Sequence, residues 1–199
     1  TLFNLRRTLM NKSFIIKIIV LCLVTIKVDA IEKVILFGDS LMAGYGLPNE
    51  QHLSVVLQKS LELEGHNIEI INGSVSGSTS AGGLNIAEWT LSENNIDLMI
   101  LCLGANDMLR GINPKETKNN LEEIIKIAKN KKIKVIIAGM IAPTSYGFSY
   151  KKSFDKIFSD LSKKYKLQLI PFLLEGVAQK PEFNLSDGMH PNDQGTIII

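Results

Sequence analysis

Five short apolar runs, rich in β-branched residues and bounded by polar or turn residues, recur along this chain with amphipathic stretches between them. Residues 33–37, 68–71, 98–103, 134–138 and 167–170 read as strands, because each run is too short for a buried helix. Between them, apolar residues recur at helical spacing: Leu53, Val56, Leu57 and Leu61; then Leu121, Ile124, Ile125 and Ala128; then Phe154, Ile157, Phe158, Leu161 and Tyr165. Asn113-Pro114 followed by Glu116 predicts a helix start, with Asn as N-cap and Pro at the first helical position. Strand alternating with helix implies a parallel sheet covered on both faces and joined by right-handed crossovers. At 199 residues the chain suits one such domain, with neither repeat nor low-complexity segment after its N-terminal stretch.

Open α/β sheets bind ligands beyond the carboxyl ends of their strands. Chemistry-bearing residues follow three of the predicted strands: Gly38-Asp39-Ser40 the first, Ser76-Gly77 the second and Gly104-Ala105-Asn106-Asp107 the third. The sheet would gather them at one edge. Far downstream, Asp187 and His190 stand three residues apart. A serine hydroxyl is a poor nucleophile until a base within hydrogen-bond reach takes its proton, and that base needs a group to orient it. Asp187 and His190 could supply both from one loop. Gly77, in a turn, could present a backbone N–H, and Asn106 a side-chain amide that donates without titrating. Taken singly, each has a plainer reading. Ser40 could be a polar turn residue, Gly77 turn chemistry, Asn106 a cap and His190 a surface histidine before a proline.

Four blocks in order carry a resemblance: Gly38-Asp39-Ser40-Leu41, Asn72-Gly73-Ser74-Val75-Ser76-Gly77, Gly104-Ala105-Asn106-Asp107 and Asp187-x-x-His190-Pro191. Together they resemble the GDSL or SGNH hydrolase family over roughly residues 34–195. Within it, Thr79-Ser80-Ala81-Gly82-Gly83-Leu84 and Met108-Leu109-Arg110-Gly111 are most similar to the bacterial arylesterase and acyl-CoA thioesterase I (lysophospholipase L1) branch. The resemblance implies a three-layer α/β/α, flavodoxin-like fold whose parallel five-stranded sheet has the order 2-1-3-4-5. It also implies a catalytic set of Ser40, Asp187 and His190, with an oxyanion hole from the Ser40 and Gly77 N–H groups and the Asn106 amide. Asp39 and Asp107 match family positions and read as supports of loop geometry. The sequence departs from that branch at Ser78, where an acid is usual. It also stops at Ile199, where the resemblance implies a final helix running well past Gly195, so it reads as truncated there.

Residues 1–30 read as a leader with a secretory signal. Lys12 and Lys17 precede an apolar run from Ile18 to Ile26, and Val28-Asp29-Ala30 supplies small residues for cleavage after Ala30. The run is too short to span a bilayer, so no stable membrane span is expected after cleavage, and the product is expected in the periplasm or secreted. Met10-Asn11-Lys12 makes a better start than Thr1, which leaves residues 1–9 in doubt as native protein. Five of the 22 basic and one of the 20 acidic residues fall in this stretch. The remaining 17 against 19 give residues 31–199 a slightly acidic balance, which argues against a nucleic-acid partner. Cys102, inside an apolar run, reads as a small core residue. His52 and His66 read as solvent-facing, and without a Cys/His/carboxylate cluster neither a metal nor a cofactor is expected.

The function expected from these residues is hydrolysis of small-molecule acyl esters and thioesters: aryl esters, acyl-CoA or lysophospholipids. Met108, Leu109, Ile112 and residues 140–143 are apolar enough to receive an acyl chain. A carbohydrate O-acetylesterase could use the same catalytic set, and a non-catalytic lipid-binding module is the alternative outside enzymes. Acyl-chain length, head group and oligomeric state are not legible.

Overall fold

A computed structural model describes residues 32–92 and 95–199. The leader, with its predicted cleavage point after Ala30, lies outside these residues. The described elements are β1 (Glu32–Gly38), α1 (Ser40–Ala43), α2 (Leu53–Leu63), β2 (Ile68–Asn72), α3 (Ser80–Thr90), β3 (Leu98–Cys102), α4 (Ala105–Leu109), α5 (Pro114–Asn130), β4 (Lys134–Ala138), α6 (Phe148–Tyr165), β5 (Gln168–Ile170) and α7 (Asp193–Ile198). Short 3-10 turns cover Asn49–Gln51, Thr144–Tyr146 and Pro181–Phe183.

The sheet is parallel throughout, in the order β2-β1-β3-β4-β5. β1 and β3 lie centrally, and their apolar residues are buried because helices cover both faces. Helices α3, α5 and α6 pack against one another on one face, whereas α2 and α7 meet on the other. Leu121, Ile124, Ile125 and Ala128 of α5, with Phe154, Ile157, Phe158 and Leu161 of α6, are buried at the predicted positions. The expected start of α5 forms as read: Asn113 caps it by accepting the Lys115 N–H at 3.0 Å, and Pro114 opens it.

Helix α3 was not legible as a helix. Its buried residues are Ser80, Gly83 and Ala87, so it has no stripe of large apolar side chains. Small residues there let the helix approach the sheet closely. A Cβ on Gly83 would lie 2.3 Å from Leu103 Cδ1. Thr79 caps α3 by accepting the Gly82 N–H at 3.1 Å.

Strand register aligns the loops at the carboxyl edge of the sheet. Gly38 pairs with Cys102 and Leu36 with Asn72, so β1 and β3 end level there and β2 ends two residues earlier. Gly38 is required at that edge for space, not for conformational freedom. A Cβ would sit 2.6 Å from the Cys102 carbonyl oxygen and 2.8 Å from Met42 Cγ. Backbone cannot yield as a side-chain tip can, so β1 and β3 would have to part at that end. Gly38→Ala should therefore cost about 1–3 kcal/mol of stability, in the range of overpacked cores, as read by urea unfolding. A variant as stable as wild type would show that the strand ends are not close-packed.

Candidate active site

Ser40 follows β1 by one residue. Asp39, in extended backbone (φ −108°), caps α1 by accepting the Leu41 N–H at 3.1 Å. Gly44, in the left-handed region (φ 82°), closes the other end with its N–H on the Ser40 carbonyl. One helical turn is thus capped at both ends, and Ser40 occupies its first position. An N–H there has no acceptor within the helix and is left for another partner.

Asp187 and His190 lie on a loop held at its base by an antiparallel bridge between Asn184 and Pro191. The Leu185 N–H donates to the His190 carbonyl at 2.7 Å. Asn184, buried, donates from Nδ2 to the Val177 and Lys180 carbonyls, and Asn192 Nδ2 reaches the Glu182 carbonyl. Within the loop, Asp187 Oδ1 accepts the N–H groups of Met189 (2.8 Å) and His190 (3.0 Å). Its Oδ2 lies 2.6 Å from His190 Nδ1, and His190 Nε2 lies 2.9 Å from Ser40 Oγ. The three side chains expected from the sequence therefore form one hydrogen-bonded line. Burial opposes ionisation of Asp187, but the His190 and Met189 N–H groups with the His190 ring outweigh it and hold the carboxyl at about 2. Asp187 is thus a carboxylate at any neutral pH, able to hold Nδ1 protonated and turn Nε2 toward the serine.

Gly77 sits in a turn closed by the Ser78 N–H on the Val75 carbonyl at 3.0 Å. Its φ of 78° is what requires glycine, since nothing lies within 4 Å of where a Cβ would stand. Asn106 lies in the first turn of α4. Its Nδ2 donates to the Ser78 carbonyl at 3.1 Å and faces Asp39 Oδ2 at 3.4 Å. The amide thus already faces two acceptors, the nearer being the Ser78 carbonyl. Ser40, Gly77, Asn106 and His190 all line one cleft of about 1170 Å³. Its wall continues through Met108, Leu109, residues 140–143, Phe172 and Leu174, so the expected apolar surface is present. Ile112 is not part of it; its carbonyl accepts the Tyr150 hydroxyl at 2.9 Å instead.

Around the site, the contacts of Tyr45 and Arg110 were not found by sequence reasoning, whereas Asp107 was read from the sequence as a support of loop geometry, without its partners. The Tyr45 ring rests on His190, centroids 4.5 Å apart, at the mouth of the cleft. Asp107, fully buried, accepts the Ser80 N–H at 2.7 Å, the Ser80 hydroxyl, and the Thr117 hydroxyl at 3.0 Å. Arg110 donates to the Gly77 carbonyl at 3.1 Å. Its partners were not legible, because only the fold brings the start of α3 to α4. His52 is corrected: it is half-buried, with Nε2 3.0 Å from the Leu47 carbonyl and its ring against Gly44, because α2 starts beside the Ser40 turn. His66 is exposed, as expected. Cys102 is buried, which pushes its thiol up and leaves it a core residue. Among the described residues no group of three or more His, Cys, Asp or Glu could hold a metal ion, and no helix is long and apolar enough to cross a membrane.

Asp39 bears an electrostatic cost. Burial raises its carboxyl to about 6, against the lowering effect of the Leu41 N–H, Asn106 and His190. A group that binds its proton more tightly folded than unfolded makes stability fall as pH rises between the unfolded and folded values. Here that window runs from about 4 to about 6, and the fall is about 3 kcal/mol at most. Asp39→Asn keeps a capping side chain and removes the titration. The stability difference between variant and wild type, from urea curves at several pH values, should therefore shift in favour of the variant as pH rises through that window. A constant difference would show that Asp39 does not titrate there.

The family model for the GDSL-like lipase/acylhydrolase family matches residues 36–196. An arylesterase of Vibrio mimicus is 38% identical over 166 residues, 83% of each chain. Thioesterase 1/protease 1/lysophospholipase L1 of Escherichia coli K12 is 31% identical over 172 residues, 86% of this chain and 81% of that one. Among solved structures, the SGNH-hydrolase family esterase AlinE4 superposes with a TM-score of 0.77 at 39% identity, covering 83% of this chain and 89% of its own. Fold, motif order and relatives agree: the chain belongs to the GDSL-like lipase/acylhydrolase (SGNH hydrolase) family and is an ester hydrolase.

Proposed function

We propose that this protein hydrolyses acyl esters and thioesters through Ser40, His190 and Asp187, and that the substrates are aryl esters, acyl-CoA thioesters or lysophospholipids. The observation that carries this reading is the continuous line from Ser40 Oγ through the imidazole to Asp187, opening on an apolar-walled cleft. Ser40 Oγ attacks the acyl carbonyl carbon while His190 Nε2 takes its proton, and the carbonyl π electrons move onto oxygen. The ionised Asp187 stabilises the imidazolium that results. Collapse of the tetrahedral species expels the alcohol or thiol, to which His190 returns the proton. Water then repeats the sequence on the acyl-serine. The oxyanion accepts from the Ser40 and Gly77 N–H groups and the Asn106 amide. Names of the relatives support the substrate classes, and the cleft's wall of Met, Leu, Ile, Pro and Phe supports an acyl chain over a sugar. We also propose export, with residues 1–30 removed as the signal and residues 31–199 forming the hydrolase domain; the mass of the mature chain tests this.

Ser40→Ala and His190→Ala should each remove nearly all turnover of nitrophenyl esters, and the double variant should be little worse, because the two act as a unit. Multiplied losses would reject the assignment. Asn106→Ala should lower kcat by roughly 10²–10³ with little change in KM, the usual cost of one oxyanion donor. A folded variant with kcat near wild type would assign Asn106 to the turn alone. Turnover of nitrophenyl esters, palmitoyl-CoA, lysophospholipid and an acetylated sugar under one set of conditions tests the substrate class; preference for the sugar would overturn it.

A further inference from the structure

The cleft wall at residues 140–143 begins where the sheet stops supporting it. β4 ends at Ala138, and the Gly139 N–H still donates to the Ile170 carbonyl at 2.8 Å. Beyond it, residues 140–142 make no backbone–backbone hydrogen bond among the described residues. Met140 and Ala142 are buried, but apolar contact is non-directional and does not fix the orientation of a peptide plane. Yet Ile141, Ala142 and Pro143 all line the cleft, so their placement shapes it.

The orientation comes from one turn of α6. The Ala142 N–H donates to Asp155 Oδ1 at 2.9 Å, and the Ala142 carbonyl accepts from Lys151 Nζ at 2.8 Å. Lys151 and Asp155 stand four residues apart on that helix and pair with each other at 2.7 Å. The N–H of Ala142 lies in the peptide plane that carries the Ile141 and Ala142 Cα atoms. Its carbonyl lies in the next plane, which carries those of Ala142 and Pro143. One ion pair therefore holds the backbone of all three wall residues. Lys151 also reaches the surface of the cleft, whereas Asp155 does not line it.

We infer that Lys151 and Asp155 are positioning residues that set acyl-chain selectivity: their ion pair clamps both peptides of Ala142 and so holds the wall against which a long acyl chain lies. The inference rests on the proposed placement of the acyl chain along residues 140–143. Strand order decides which chains feel the clamp. β4 stands two strands from β1, about 10 Å at the usual strand spacing. An extended chain gains roughly 1.2 Å per bond, so it meets this wall only after about eight carbons. An acetyl group on Ser40 stops well short of it.

Asp155→Ala removes the acceptor and frees the lysine. It should raise KM for nitrophenyl decanoate about five- to tenfold with kcat within about twofold, because the wall binds ground and transition states alike. For nitrophenyl acetate, kcat/KM should change by less than about twofold. Asp155→Asn keeps an acceptor for the Ala142 N–H and should recover part of the loss. Ile141→Ala, which trims the wall itself, is assayed alongside. If it leaves the decanoate KM unchanged, the chain lies elsewhere and the inference falls with the reading beneath it. If it raises that KM while Asp155→Ala does not, only the clamp fails. Equal losses on acetate and decanoate would also overturn the inference, since a merely structural ion pair would damage both. So would a Lys151→Met effect confined to anionic palmitoyl-CoA, which would make Lys151 a head-group contact.

Discussion

A parallel sheet brings the carboxyl ends of its strands to one edge, and that constraint organises everything else in this protein. Ser40, the Gly77 turn and Asn106 come from three loops that are remote in sequence. The neighbouring carboxyl ends of β1, β2 and β3 bring them to a single cleft. Gly38 lets β1 and β3 stay in contact to their last pair, with no room for a Cβ. Chemistry at this edge is thus a property of backbone register before it is one of side chains.

Two buried carboxylates hold the loops that the register delivers. Among the described residues, neither Asp39 nor Asp107 has a lysine or arginine within ion-pair distance. Asp107 is satisfied by a helix-start N–H and two hydroxyls, which tie α4 to α3 and α5. Asp39 is less well compensated, and its raised carboxyl reflects the deficit. Both stand beside residues of the proposed site, next to Ser40 and Asn106. Buried polar networks of this kind give rigidity at the expense of stability, which suits groups that must be aimed before substrate arrives.

The strands and the two long amphipathic helices were legible because periodicity reports burial directly, as Leu121 to Ala128 and Phe154 to Leu161 show. Strand ends moved by a residue or so: Leu103 and Leu167 fall outside β3 and β5. Helix α3 was hidden because its buried face is Ser, Gly and Ala, which leaves no apolar stripe to read. Ser40, Asp187 and His190 were legible from motif order, and their meeting follows from topology. The engagement of Asn106 by the Ser78 carbonyl was not, because it depends on a turn from one loop lying against a helix from another. The same holds for Tyr45 against His190, and for His52, whose burial comes from a neighbouring turn and not from its own sequence context.

The contact between Ser40 and His190 spans 150 residues, whereas His190 and Asp187 are neighbours on one stapled loop. On the proposed assignment, this separation sets the order in which hydrolytic competence appears. A chain made N-terminus first presents its serine early, just after a strand that can pair with β2 and β3 long before the base exists. Only when the segment carrying His190 has been made can the imidazole reach the hydroxyl. Until then the serine has no base, and the nascent chain would be inert however well its first strands have paired.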